Sequence, residues 1–137
     1  MNILYPIFAM AALTLFCLLR LGQLRYVAVR RGEVDPRFFL LYRGYEEPER
    51  LALYSRHVVN HFETPMLFYV ICIVAFVTGQ AGPATILMAW GYVALRYLHS
   101  IIHLGKNTVI NRFRAFLLSV AVLVALWATV LTGLMRQ

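Results

Sequence analysis

Acidic residues are scarce. The 137-residue chain has six, and five of them (Glu33, Asp35, Glu46, Glu47 and Glu49) fall in one polar segment. Charged residues make up 14% of the chain, against about 25% in a soluble domain, which excludes an ordinary water-facing shell. Cysteine is rare as well. Cys17 and Cys72 each sit inside an apolar run and are expected to be buried reduced thiols acting as small hydrophobes rather than a disulfide. There is no low-complexity segment and no internal repeat. The first apolar run lacks a basic leader and a small-residue cleavage site, so it is expected to be a retained helix and not a signal peptide.

What the chain does have is apolar sequence. Hydrophobic residues make up 61% of it and the mean hydropathy is +0.70, values that belong to an integral membrane protein. Four stretches are long enough, or nearly so, to cross about 30 Å of hydrocarbon: Ile3 to Leu24, Arg56 to Thr78, Ala84 to Leu104 and Ala115 to Met135. With flanking turns, the expected helices are 3–24, 52–78, 84–105 and 112–135, separated by a loop over 25–51, in one domain over 1–137. Short connections make consecutive helices antiparallel neighbours, so the expected fold is an all-α, four-transmembrane-helix, up-down-up-down bundle. Within the loop, Asp35 and Pro36 suit the N-cap and first position of a short interfacial helix over 37–43, with Gly44 ending it. Asn111 is a candidate N-cap for the last helix.

Basic residues are distributed unevenly. Arg25, Arg30, Arg31, Arg37, Arg43 and Arg50 cluster in the loop, Lys106, Arg112 and Arg114 surround the last turn, and only Arg136 lies on the other side. The positive-inside rule then places both loops in the cytoplasm and both termini outside it. A bacterial inner membrane is the expected location. Topology and attraction to anionic lipid headgroups account for the net charge of +7, and no nucleic-acid partner is implied.

Against this background the sixth carboxylate stands out. Glu63 lies within the second apolar stretch, where an ionisable group is costly and usually marks a site. Arg56, Asn60 and Glu63 follow i, i+4, i+7 spacing and share one helical stripe. Arg56 and Glu63 are about 10.5 Å apart along the axis, at about 1.5 Å per residue, too far for an easy direct pair. On the third helix Arg96, His99 and His103 share a face, with Tyr92 a turn deeper; Arg25 ends the first helix and Arg112 begins the fourth. Polar groups from all four helices thus converge at one depth. A wet pocket there, roofed by hydrocarbon, would suit a zwitterion with two carboxylates and one ammonium, a pattern that glutathione has. Arg112, near the positive end of the fourth helix, is the best candidate to stabilise the thiolate.

The Arg56, Asn60, Glu63 stripe, the run Arg96-Tyr97-Leu98-His99 to Leu104-Gly105-Lys106 before Arg112, and Gly22-Gln23-Leu24-Arg25 together resemble the MAPEG family. These are membrane-associated proteins in eicosanoid and glutathione metabolism, and the likeness is to their prostaglandin E synthase and microsomal glutathione transferase branch. The resemblance implies a homotrimer holding glutathione at subunit interfaces, where its thiolate meets lipophilic substrates arriving from the bilayer. It also implies glutathione-binding roles for Arg25, Arg56, Asn60, Glu63, His99 and His103, with Glu63 receiving the ammonium and Arg112 nearest the thiol. The family's usual tyrosine one turn after His99 is replaced here by His103, which keeps a ring and loses a phenol. The basic residue that some members have beside the asparagine is replaced by Val59, and the second-helix proline comes early, at Pro65.

Two other readings follow from the residues. A non-catalytic lipid-binding or scaffolding protein would share the fold without the thiolate chemistry. His57 with His61, and His99 with His103, form two i, i+4 pairs that could hold a transition metal or haem. His57 and His61 lie about 100° or more around their helix from Arg56, so the two pairs need not face each other, and no metal ligand is assigned.

Overall fold

A computed structural model describes residues 2–44 and 46–136. Met1, Tyr45 and Gln137, which the single-domain expectation includes, lie outside the described residues. Among the described residues there is no strand. The helices are α1 (Leu4–Arg30), α2 (Phe38–Leu41), α3 (Glu49–His61), α4 (Thr64–Val77), α5 (Pro83–Leu104) and α6 (Val109–Leu134).

Helix α1 runs six residues past the expected end at Leu24, because arginines are good helix formers and nothing before Gly32 stops it. Gly32 adopts a left-handed conformation (φ 71°). Its N–H donates to the Val29 carbonyl at 3.0 Å and the Glu33 N–H donates to the Ala28 carbonyl at 2.9 Å, the two bonds of a Schellman stop. The interfacial helix is shorter than expected. The Asp35 carboxylate accepts from the Arg37 N–H at 2.8 Å, and Tyr42, at φ 51°, ends the helix two residues before Gly44.

The second membrane segment differs most from expectation. It breaks at Phe62 and Glu63, and α4 restarts at Thr64 with Pro65 in its first turn. A proline here has no N–H for the His61 carbonyl and its ring would collide with that carbonyl, so an unbroken helix over 52–78 is unavailable. Glu63 sits at the break, outside both helices. Helix α6 begins at Val109, with Thr108 as its N-terminal flank, so Asn111 lies in the first turn and is not the cap.

The core joins Met10, Leu13, Cys17 and Leu21 of α1 to Phe68, Ile71, Cys72 and Ala75 of α4, Ala89, Tyr92 and Val93 of α5, and Leu123, Leu126 and Val130 of α6. Phe68 and Tyr92 stack with ring centroids 4.5 Å apart. Helices α5 and α6 pack along each other, and α1 lies against α3, α4 and α5. The outer surface is apolar, with Phe8, Leu15, Leu19, Ile73, Val77, Leu117, Val124 and Leu131 all exposed. Three helical segments are long and apolar enough to cross a membrane: Leu4–Arg30, Glu49–Val77 and Val109–Leu134. Helix α5, expected as a membrane crossing, is not among them; it buries Arg96, His99, Ser100 and His103 inside the packed helices.

Candidate functional site

The helix break, the α5–α6 turn and the start of α6 enclose a cleft of about 460 Å3. Its walls carry Arg56 and Asn60 from α3, Glu63 from the break, His99 and His103 from α5, Asn107 from the turn, and Arg112, Phe113 and Phe116 from α6. Six of the seven residues expected at the site are therefore brought together. The seventh, Arg25, is not among the cleft residues. It lies inside α1, with its guanidinium over the Phe39 and Tyr42 rings at 5.4 and 5.8 Å. Its direction around α1 aims it at α2 and the residue that ends it.

The cleft is not roofed within the chain, as the sequence suggested; it is open, and both Arg56 and Glu63 are exposed. Among the described residues Glu63 makes no ion pair, since the two present are Arg31 with Glu33 and Arg37 with Asp35. Within the chain Glu63 acts electrostatically on buried Arg96 of α5, without a direct ion pair. The cleft lining offers two guanidinium groups and one carboxylate, an arrangement that can grip an anion bearing one cationic group.

Local bonds hold the cleft in shape. Asn107 adopts φ 49°, which asparagine tolerates better than most residues. Its side-chain oxygen accepts from Arg112 Nη1 at 2.8 Å. Gly105 ends α5, and a Cβ there would lie 2.7 Å from the Ile101 carbonyl oxygen, so the turn needs glycine. His99 Nδ1 donates to the Arg112 carbonyl at 3.1 Å, since a carbonyl only accepts. Behind the cleft Arg96 is fully buried. Its Nη2 donates to the Asn60 carbonyl at 3.2 Å, while Nε and Nη1 have no partner. Tyr92, a turn deeper than Arg96 on α5 as expected, is buried with it and donates to Thr64 Oγ1 at 3.3 Å.

A model of the MAPEG family matches residues 3–132. The chain belongs to the MAPEG family. Comparisons with curated proteins and with solved structures found no match. The match covers every helix apart from the last two residues of α6, so cleft and fold belong to one MAPEG unit, and family membership together with the apolar helices marks an integral membrane protein.

Sequence reasoning missed Leu53, Asn107, Val109, Phe113 and Phe116 as lining residues. The signal for Asn107 was its place just after Gly105 in a short turn, where left-handed asparagine is common. Val109, Phe113 and Phe116 repeat at i, i+4, i+7, but α6 has so many apolar residues that this stripe has no contrast. The two histidine pairs, whose facing was left open, do meet: His57 Nδ1 is 2.9 Å from His103 Nδ1 in the seam between α3 and α5.

Proposed function

We propose that this MAPEG protein is a membrane-bound glutathione-dependent transferase or peroxidase. The observation that carries the reading is the cleft itself, in which Arg56, Arg112 and an unpaired Glu63 surround a volume within the usual range for small-molecule sites. In this reading Arg56 takes a glutathione carboxylate and Glu63 takes the ammonium. Asn60, His99 and His103 supply further polar contacts. Arg112 lies in the first turns of α6, where the helix end adds positive potential. Its guanidinium stabilises the thiolate, which then attacks a lipophilic electrophile or a lipid hydroperoxide arriving from the bilayer.

The assembly belongs to the same proposal. Four crossings in up-down-up-down order, with both termini outside the cytoplasm of a bacterial inner membrane, put the cleft at the cytoplasmic end. Exposure of Glu63 and Arg56 on a single chain is costly at the edge of hydrocarbon, and a homotrimer would cover the open side. Arg25, which does not line its own chain's cleft, would then act at a subunit boundary.

Calorimetric titration of reduced glutathione into the detergent-solubilised protein tests this. Saturable binding is expected, lost in Glu63→Gln, with less proton release in Arg112→Ala, both variants retaining the wild-type oligomeric state. Absence of binding by the wild type at millimolar glutathione would overturn the reading and favour a non-catalytic lipid-binding role.

A further inference from the structure

All four histidines of the chain meet in one buried layer between α3 and α5. His57 is at its centre. Its Nδ1 is 2.9 Å from His103 Nδ1, its Nε2 is 3.0 Å from Ser100 Oγ and 3.2 Å from His61 Nε2, and its ring stacks on His99 with centroids 6.0 Å apart.

The donors around this layer determine which nitrogen of each neutral ring carries the proton. The Ser100 hydroxyl donates to the Arg96 carbonyl at 2.9 Å, so Ser100 Oγ accepts from His57 Nε2 and His57 Nδ1 keeps a lone pair. His99 Nδ1 donates to the Arg112 carbonyl, so His99 Nε2 keeps a lone pair too. That nitrogen is buried and has no hydrogen-bond partner. Buried polar atoms without partners are rare and costly, and a lone pair on a ring whose other nitrogen donates to a backbone carbonyl is the arrangement found at metal-binding imidazoles.

We propose that His57, His99 and His103 form a three-imidazole site for a divalent first-row transition ion of the Zn2+ class. One nitrogen from each of these rings lies within 4.8 Å of the others. Binding one tetrahedral ion at about 2.0 Å requires nitrogen separations of about 3.3 Å, so the rings must rotate on binding, and His57 must tilt out of its 17° stack on His99. The ion replaces the proton between the two Nδ1 atoms, and His103 carries that proton on Nε2 instead, so no net proton is released. The ligand set contains no oxygen, which selects zinc-like ions over magnesium or calcium.

A second group, Cys17, His57 and His61, is equally compact. His61, however, has contacts at both ring nitrogens: Nδ1 donates to the Thr14 hydroxyl, which itself donates to the Met10 carbonyl, and Nε2 lies 3.2 Å from His57 Nε2, sharing that nitrogen's single proton with Ser100 Oγ. The unpartnered nitrogen therefore places the ion with His99. His99 and His103 also line the cleft, so the fourth coordination position lies on the cleft side. An anion there, for which chloride from buffer suffices, lowers the charge added beside buried Arg96 from +2 to +1. The site does not rest on glutathione binding.

Metal-depleted, full-length protein in detergent and chloride buffer is titrated with Co2+, which reports tetrahedral nitrogen coordination by visible ligand-field bands, and then with competing Zn2+. One ion per chain is expected. Affinity should fall by about tenfold or more in His57→Ala, His99→Ala and the bulkier His99→Gln, each checked for helical content and oligomeric state, and should persist in Cys17→Ala and His61→Ala. No stoichiometric binding by the wild type overturns the proposal. So does binding that survives both His99 variants and is lost in Cys17→Ala. Glutathione titration of the metal-free protein is a separate reading, so either proposal can fail alone.

Discussion

Arg112 Nη1 donates to the side-chain oxygen of Asn107 at 2.8 Å, across a turn in which Asn107 itself is left-handed. The guanidinium proposed to meet the thiol is thus held by a residue whose backbone conformation is as specific as its side chain. Asn107→Gly separates the two, because glycine keeps the conformation and removes only the bond. A hydrogen bond to a charged group contributes about 1.5–3 kcal/mol, so glutathione binding measured by calorimetry should weaken by about tenfold. The thermal unfolding midpoint of the ligand-free protein should fall too, because the bond is already present without ligand.

Pro65 explains the break that carries Glu63. Pro65→Ala restores an N–H opposite the His61 carbonyl and removes a residue that costs about 3 kcal/mol within a helix. The α3–α4 segment should become continuous, which is measurable as slower amide exchange at residues 62–66. Glu63 then turns with the helix, and glutathione should bind about tenfold more weakly, a loss of about 1.4 kcal/mol. Unchanged exchange in this variant would show that the break does not depend on the proline.

At Gly105 the constraint is space. A Cβ at 2.7 Å from the Ile101 carbonyl oxygen meets backbone that cannot swing aside. Gly105→Ala should destabilise the protein by roughly 1–3 kcal/mol, the usual cost of forcing an extra group into a packed position. Denaturation in mixed micelles checks this, and a midpoint equal to wild type would refute it.

The buried Arg96 offers the opposite sign. Two of its nitrogens have no hydrogen-bond partner at full burial, although the guanidinium lies 6.0 Å from the Phe116 ring centroid, and replacing buried charged groups by well-packed apolar side chains is often neutral or stabilising by about 1–4 kcal/mol. Arg96→Met should therefore raise the unfolding midpoint of ligand-free protein. A fall in the midpoint would show that the guanidinium is better compensated than its contacts indicate.

Apolar length and residue chemistry made much of this protein legible beforehand. The all-helical class, three of the four expected membrane-length stretches and the MAPEG resemblance were readable, and the family match bears out the last. The depth at which polar residues converge was also readable, because rise per residue along a helix is nearly constant. Boundaries were less so. Gly32 was overlooked behind a run of arginines, and Pro65 was noticed without its consequence for the helix before it.

A sequence specifies where a side chain lies along its own helix and in which direction it points around that axis. It does not specify how one helix is rotated against the next, because that depends on side chains of both packing together. Composition and spacing alone determined that this chain is an apolar helical protein with Arg56, Asn60, Glu63, His99, His103 and Arg112 at similar depth. Only the tertiary structure decided that these six line one cleft, that Arg25 packs on Phe39 and Tyr42 instead, and that His57 meets His103. Each of those outcomes rests on the rotation of α1, α3 and α5 about their axes, a quantity that no periodicity within a single helix contains.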